Sequence, residues 1–225
     1  MFQSHTFEFK KLIQIGVPIL GSQLSYMLMG TTDTIVAGRA SSADLAGLGV
    51  GSAIFNTIWF LIAGVIFAVT PIVAQLYGAK KFNEIGTKLR EVLWIALALG
   101  FAVCTILFFM GNFLFYLPID TSITSISSSY LKALSLGIIF MTIFTTLRCY
   151  SEGMALTRPV FYIAFFGMLL NIPLDIIFVY GYFGVPKLGG VGCGIATTLV
   201  SFLMMLTLII YIFLSKNYNS TKPFS

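Results

Sequence analysis

Charge is scarce in this 225-residue chain. Only 9% of its residues are Asp, Glu, Lys or Arg, against roughly 25% in a soluble domain. That is too little to clothe an ordinary core in a water-facing shell. Histidine occurs once, as His5, in an N-terminal tail where water satisfies it. A serine-type intramembrane protease would need a base inside a span, so that class is excluded. The three cysteines, Cys104, Cys149 and Cys193, are far apart and form no CxxC pair, which excludes a dithiol redox centre or a zinc knuckle. The net charge of +5 comes without an aromatic-and-basic RNA motif or a zinc finger, so no nucleic-acid partner is expected.

Apolar residues are abundant instead, at 58% of the chain, and the bilayer is the solvent that suits them. Runs of ~20 apolar residues or more read as membrane helices. Six are expected, at about 12–37, 47–76, 91–117, 130–150, 160–182 and 190–214. Turn chemistry fits the gaps at Gly38-Arg39-Ala40-Ser41-Ser42, Tyr77-Gly78-Ala79-Lys80-Lys81, Leu117-Pro118-Ile119-Asp120, Thr157-Arg158-Pro159 and Gly184-Val185-Pro186-Lys187. The first run exceeds the ~7–15 residues of a signal-peptide core and holds Pro18 and an Asp, so it reads as a retained span. The expected fold is all-α integral membrane, with residues 1–225 forming a single six-helix lobe.

Basic residues set the orientation. Lys10, Lys11, Lys80, Lys81, Lys88, Arg90, Arg148, Arg158, Lys216 and Lys222 fall on one side, and Arg39, Lys132 and Lys187 on the other. The larger set belongs inside, which makes both termini cytoplasmic. No basic residue is expected well inside a span.

Two carboxylates interrupt the apolar runs. Asp33 lies in SQLSYMLMGTTDTIVAG and Asp175 in MLLNIPLDIIFVYG. An ionisable group at such a depth costs at least ~2.5–3.5 kcal/mol on insertion scales and usually marks an ion or substrate path. Both fall one to two turns before the outer ends of outward-running spans, at similar depth. Asn171 is four residues from Asp175 and shares its helix face. Pro173, between them, leaves the carbonyl of Leu169 without its helical donor. Oxygen ligands of this kind suit a proton relay or a hard cation such as Na⁺, with proton uptake from outside near neutral pH. Asp33, Gly30, Met29 and Tyr26 are spaced to share a face. No GxGD-like sequence surrounds either Asp, so aspartyl-protease chemistry lacks its context. GVGCG near 192 and GLGVG near 49 lie outside any strand–helix unit and read as close-packing glycines. No catalytic residue, resident metal or organic cofactor is expected.

MLMGTTDTIVAGRASSADLAGLGVG, TPIVAQLYGAKK, EGMALTRPVFY and NIPLDIIFVYGYFGVPKLGGVGCGIATT resemble, in order, segments of the N-terminal half of multidrug and toxic compound extrusion (MATE) transporters, NorM-like branch. The resemblance covers about residues 10–215. It implies a six-helix N-lobe and secondary active efflux of cationic or amphipathic drugs, driven by H⁺ or Na⁺ across the inner (plasma) membrane. By the same resemblance, Asp33 matches the family's first-helix acidic residue in cation coupling. Asn171 and Asp175 match a fifth-helix pair in the same pocket, and Gln23 and Thr198 match nearby polar positions. Many NorM-like members carry Asn where this chain has Asp175.

The family has twelve helices in two lobes, and this chain has six. A fragment or truncated product is expected, with a separately encoded second half or a homodimer as the other arrangements. A lipid-linked-sugar flippase of the same superfamily and a non-transporting six-helix scaffold are the alternative functions. The first would favour a cavity rich in Arg and Lys, and the second would tolerate loss of Asp33.

Overall fold

The computed structural model describes residues 2–116, 118, 120–221 and 223, with the side chains of residues 2–8 and of Lys11 outside that description. The expected turn at Leu117-Pro118-Ile119-Asp120 therefore falls partly outside the described residues, as do the side chains of His5 and Lys11 and all of Lys222. Among the described residues, seven α-helices follow one another: α1 Phe2–Ala40, α2 Ser42–Phe67, α3 Val69–Gly78, α4 Phe82–Phe113, α5 Thr121–Gly153, α6 Thr157–Tyr180 and α7 Gly190–Leu214. Two 3₁₀ turns, Leu114–Tyr116 and Lys216–Thr221, precede α5 and follow α7.

Six of the described stretches are long and apolar enough to cross a membrane, Ser42–Gly78 counting as one. The expected single helix over 47–76 is in fact α2 and α3, parted at Ala68. Pro71 explains the break, because it has no N–H for the carbonyl of Phe67 four residues back. The expected turn after Gly38 shrinks to Ser41. Its hydroxyl caps α2 by accepting the Asp44 N–H at 2.9 Å.

α5 is the central post. In its most apolar stretch 61% of residues are buried, against 17–33% for the other five spans. Small residues make this possible, since glycine, serine and threonine let membrane helices approach closely. A Cβ on Gly100 would lie 2.7 Å from Thr142 Oγ1, and one on Gly51 would lie 2.6 Å from the Tyr130 ring. α4, α7 and α2 pack around this post, and α1 packs mainly on α6. α6 ends at Gly181, whose φ of +80° is the left-handed cap that glycine adopts without a steric cost.

The outer surface is apolar: Leu20, Phe60, Leu61, Trp94, Phe109 and Phe213 are all exposed. Such a surface is satisfied by hydrocarbon, and the chain is a multi-pass membrane protein. Arg148, near the end of the expected span 130–150, lies in α5 with its side chain only 9% exposed, and its charge is met by Glu152 one turn later at 2.8 Å. A buried charge of this kind survives only when paired.

Candidate functional site

The buried side of α1 comprises Ser22, Ser25, Met29, Asp33, Val36 and Ala37. Their spacing of three and four residues is the period of one helix face. Asp33 therefore points inward, with 7% exposure. Gly30 does not share this face; it is exposed, and a Cβ there would meet nothing within 4 Å. On α6, Asn171 and Asp175 are both fully buried and sit one turn apart as their spacing dictates. α6 runs unbroken through Pro173. Because α1 packs along α6, the two carboxyl groups meet.

A carboxyl oxygen of each lies within 4.8 Å of one of the other. Two buried carboxyl groups this close are costly to ionise together, so the arrangement suits a pair that shares one proton. Asn171 bridges them. With its amide nitrogen turned to the acceptors, it donates to Asp175 Oδ2 at 3.1 Å and to Asp33 Oδ1 at 3.2 Å. Thr197 Oγ1 on α7 donates to Asp33 Oδ2 at 3.2 Å. Cys193, one turn before Thr197, places its thiol 3.6 Å from the main-chain oxygen of Asp33. Carboxyl oxygens of Asp33 and Asp175 and the Cys193 sulfur all lie within 4.8 Å of one another. Three helices thus converge on one buried cluster of acceptors with two neutral donors. It can hold a proton, and with Asn171 reversed it would offer several oxygens to a hard cation.

Two expected members lie elsewhere. Gln23 is exposed on α1, about 15 Å along the helix from Asp33 at 1.5 Å per residue. Thr198 donates to the carbonyl of Ala133 at 2.9 Å and ties α7 to α5. Its neighbour Thr197 takes the place by Asp33, and sequence reasoning singles out neither Thr197 nor Cys193. The usable signal is the run GVGCGIATT. Its glycines are close-packing positions, as expected: a Cβ on Gly192 would lie 2.7 Å from the α6 backbone at Phe178 and Val179, and one on Gly194 would lie 3.0 Å from Tyr130. A helix face that approaches α6 so closely, with Cys193 and Thr197 four apart, must look toward Asp175 and its partner.

The MatE family profile matches residues 18–177. A probable multidrug resistance protein NorM of Pasteurella multocida is 36% identical over 229 residues, covering all of this chain and 48% of that protein. Among solved structures, the eukaryotic MATE transporter AtDTX14 superimposes with a TM-score of 0.88 at 16% identity, covering 96% of this chain and 48% of that one. The MATE transporter NorM-NG, solved in complex with a monobody, gives a TM-score of 0.72 at 33% identity, covering 90% and 44%. The chain spans about half the length of the curated relatives it matches.

Proposed function

We propose, from the fact that this chain belongs to the MatE family, that it is the ion-coupling lobe of a secondary active multidrug exporter, exchanging an organic cation for H⁺ or Na⁺. The observation that carries the reading is the Asp33–Asp175 pair bridged by Asn171. A buried acidic pair inside a membrane is costly, and ion coupling is the use that offsets such a cost. Relatives named for multidrug resistance support the substrate class. The shared-proton geometry favours H⁺ as the coupling ion, with Na⁺ the competing ligand.

In this reading the basic-residue bias places both termini in the cytoplasm of the inner membrane. The Asp pair then lies in the outer half, where it loads from outside. Loading neutralises the pair, lets α1 repack against α6 and α7, and weakens the hold on a cationic drug. Each charge moved inward contributes ~2.3 kcal/mol per 100 mV. Asp33 is the primary acceptor. Asp175 shares its proton, and Asn171 and Thr197 hold the geometry. Gln23, exposed on α1, belongs to the drug-facing side. A second six-helix half completes the cavity, as a separate chain, a continuation or a second copy. The flippase alternative is disfavoured, because Arg148 is already paired and offers no free cation to a pyrophosphate.

Efflux of a fluorescent organic cation tests this. Cells lacking their own exporters would carry the chain together with a six-helix C-lobe from a NorM relative. Asp33→Asn is expected to abolish efflux driven by an imposed pH or Na⁺ gradient at equal membrane abundance. Efflux close to wild type in that variant would contradict the proposal.

A further inference from the structure

The Arg148–Glu152 pair lies outside the ion cluster, yet it touches the helix that carries Asp33. The Arg148 guanidinium carbon sits 5.3 Å from the centre of the Tyr26 ring on α1 and 5.9 Å from that of Phe67, the last residue of α2. Tyr26 also meets Phe144 of α5 edge-on at 6.5 Å. α1 packs mainly on α6, with α2 and α7 beside it, and the Tyr26 ring carries a contact from it to the central post. The Tyr26 hydroxyl is buried with no hydrogen-bond partner among the described residues. It lies close enough to the guanidinium for a bond to it to form, without the alignment that makes one. An unpaired buried hydroxyl biases a two-state equilibrium by roughly 5- to 150-fold toward any arrangement that pairs it. Tyr26 and Asp33 are seven residues apart, two turns of one continuous helix, so a shift at one is carried to the other.

We propose that Arg148 is a positioning residue for ion coupling. It holds α1 in the arrangement seen here through the Tyr26 ring, and it takes up the Tyr26 hydroxyl when α1 shifts on ion loading. This rests on the reading that loading of Asp33 moves α1. The Glu152 carboxylate fixes the guanidinium through Nε, and the guanidinium carbon sits over the Tyr26 ring of α1 and the Phe67 ring of α2. The cost of a buried ion pair is thereby tied to a register between helices, one of the better-attested uses of such pairs.

The test is a distance measurement that needs no drug. Spin labels at Leu24 on α1 and Leu136 on α5, both exposed, would be placed in a variant with Cys104 replaced by alanine and the buried Cys149 and Cys193 kept. Distance distributions would be recorded in lipid nanodiscs across pH and Na⁺. Two populations are expected, with a ratio that follows ion loading. Tyr26→Phe keeps the ring and removes the orphan hydroxyl, so it should move the ratio at least about fivefold toward the arrangement seen here. In an Arg148→Met/Glu152→Gln background the same substitution should change the ratio less than about twofold, the signature of a direct coupling. An unchanged ratio in Tyr26→Phe, an undiminished effect in the charge-free background, or a single population under every condition would overturn the proposal. If Tyr26→Phe moves the ratio while Asp33→Asn leaves its ion response intact, the coupling reading fails and the positioning role stands.

Discussion

Asp33 and Asp175 occupy one pocket from two helices, yet their surroundings differ. Asp33 accepts from Asn171 and Thr197 and lies 7% exposed, whereas Asp175 accepts from Asn171 and is fully enclosed. Asp33→Asn is therefore expected to stop gradient-driven efflux. Asp175→Asn keeps a polar partner for Asp33 and should leave reduced but measurable efflux, checked by transport at matched expression. Thr197→Val removes one hydrogen bond to a charged group, a loss of ~1.5–3 kcal/mol. It should weaken ion dependence, while Thr198→Val should lower thermal stability and leave ion dependence alone. The three residues that meet at the cluster were legible because carboxylates and an amide at i, i+4 stand out in an apolar run. Thr197 and Thr198 are adjacent hydroxyls in a helix with apolar groups on every side, and hydropathy does not say which faces α1. Only the packing of Gly192 on α6 sets that phase.

At the scale of the helix, glycine placement decides how closely the elements approach. A Cβ on Gly192 would collide with the α6 backbone, whereas one on Gly30 would meet nothing. Gly192→Ala is expected to cost ~1–3 kcal/mol as overpacking and to disturb ion dependence by displacing Thr197. Gly30→Ala should be tolerated, with thermal melts in detergent as the readout. The start of α5 gives a pH test. The Ser122 hydroxyl and N–H both donate to Asp120, at 2.7 and 2.8 Å, and hold its carboxyl below the ordinary value. A depressed value means that the cap's contribution is present above the ordinary carboxyl range and is lost as pH falls through the lower folded value. Amide exchange at Ser122 to Thr124 should accelerate over that acidic window relative to the neighbouring helix, and Asp120→Ala should remove the pH dependence. The six spans were legible from apolar length alone. The split at Ala68 was not, because Pro71 falls inside a run whose hydropathy never drops. Arg148 falls within the expected span 130–150, and hydropathy does not say that Glu152 and the Tyr26 ring meet its charge there.

The whole molecule presents an apolar outer surface around a core that is apolar as well, and the buried Asp33, Asn171 and Asp175 interrupt that core at one place. Its length is about half that of its relatives, and the proposed transport cycle needs a second half to enclose a drug. The chain expressed alone is expected to insert and fold, yet to give no efflux until a C-lobe is supplied. Gradient-driven efflux by the lone chain at a monomeric state would contradict that. Cysteine labelling from either side should find both termini inside. The central claim is that Asp33 and Asp175 act as one ion-binding unit, and infrared difference spectroscopy of the protein in lipid tests it most directly. The account predicts a protonated-carboxyl band at neutral pH that disappears in both Asp33→Asn and Asp175→Asn, because one proton is shared between them. Absence of the band in the wild type, or its survival unchanged in Asp33→Asn, would contradict the account.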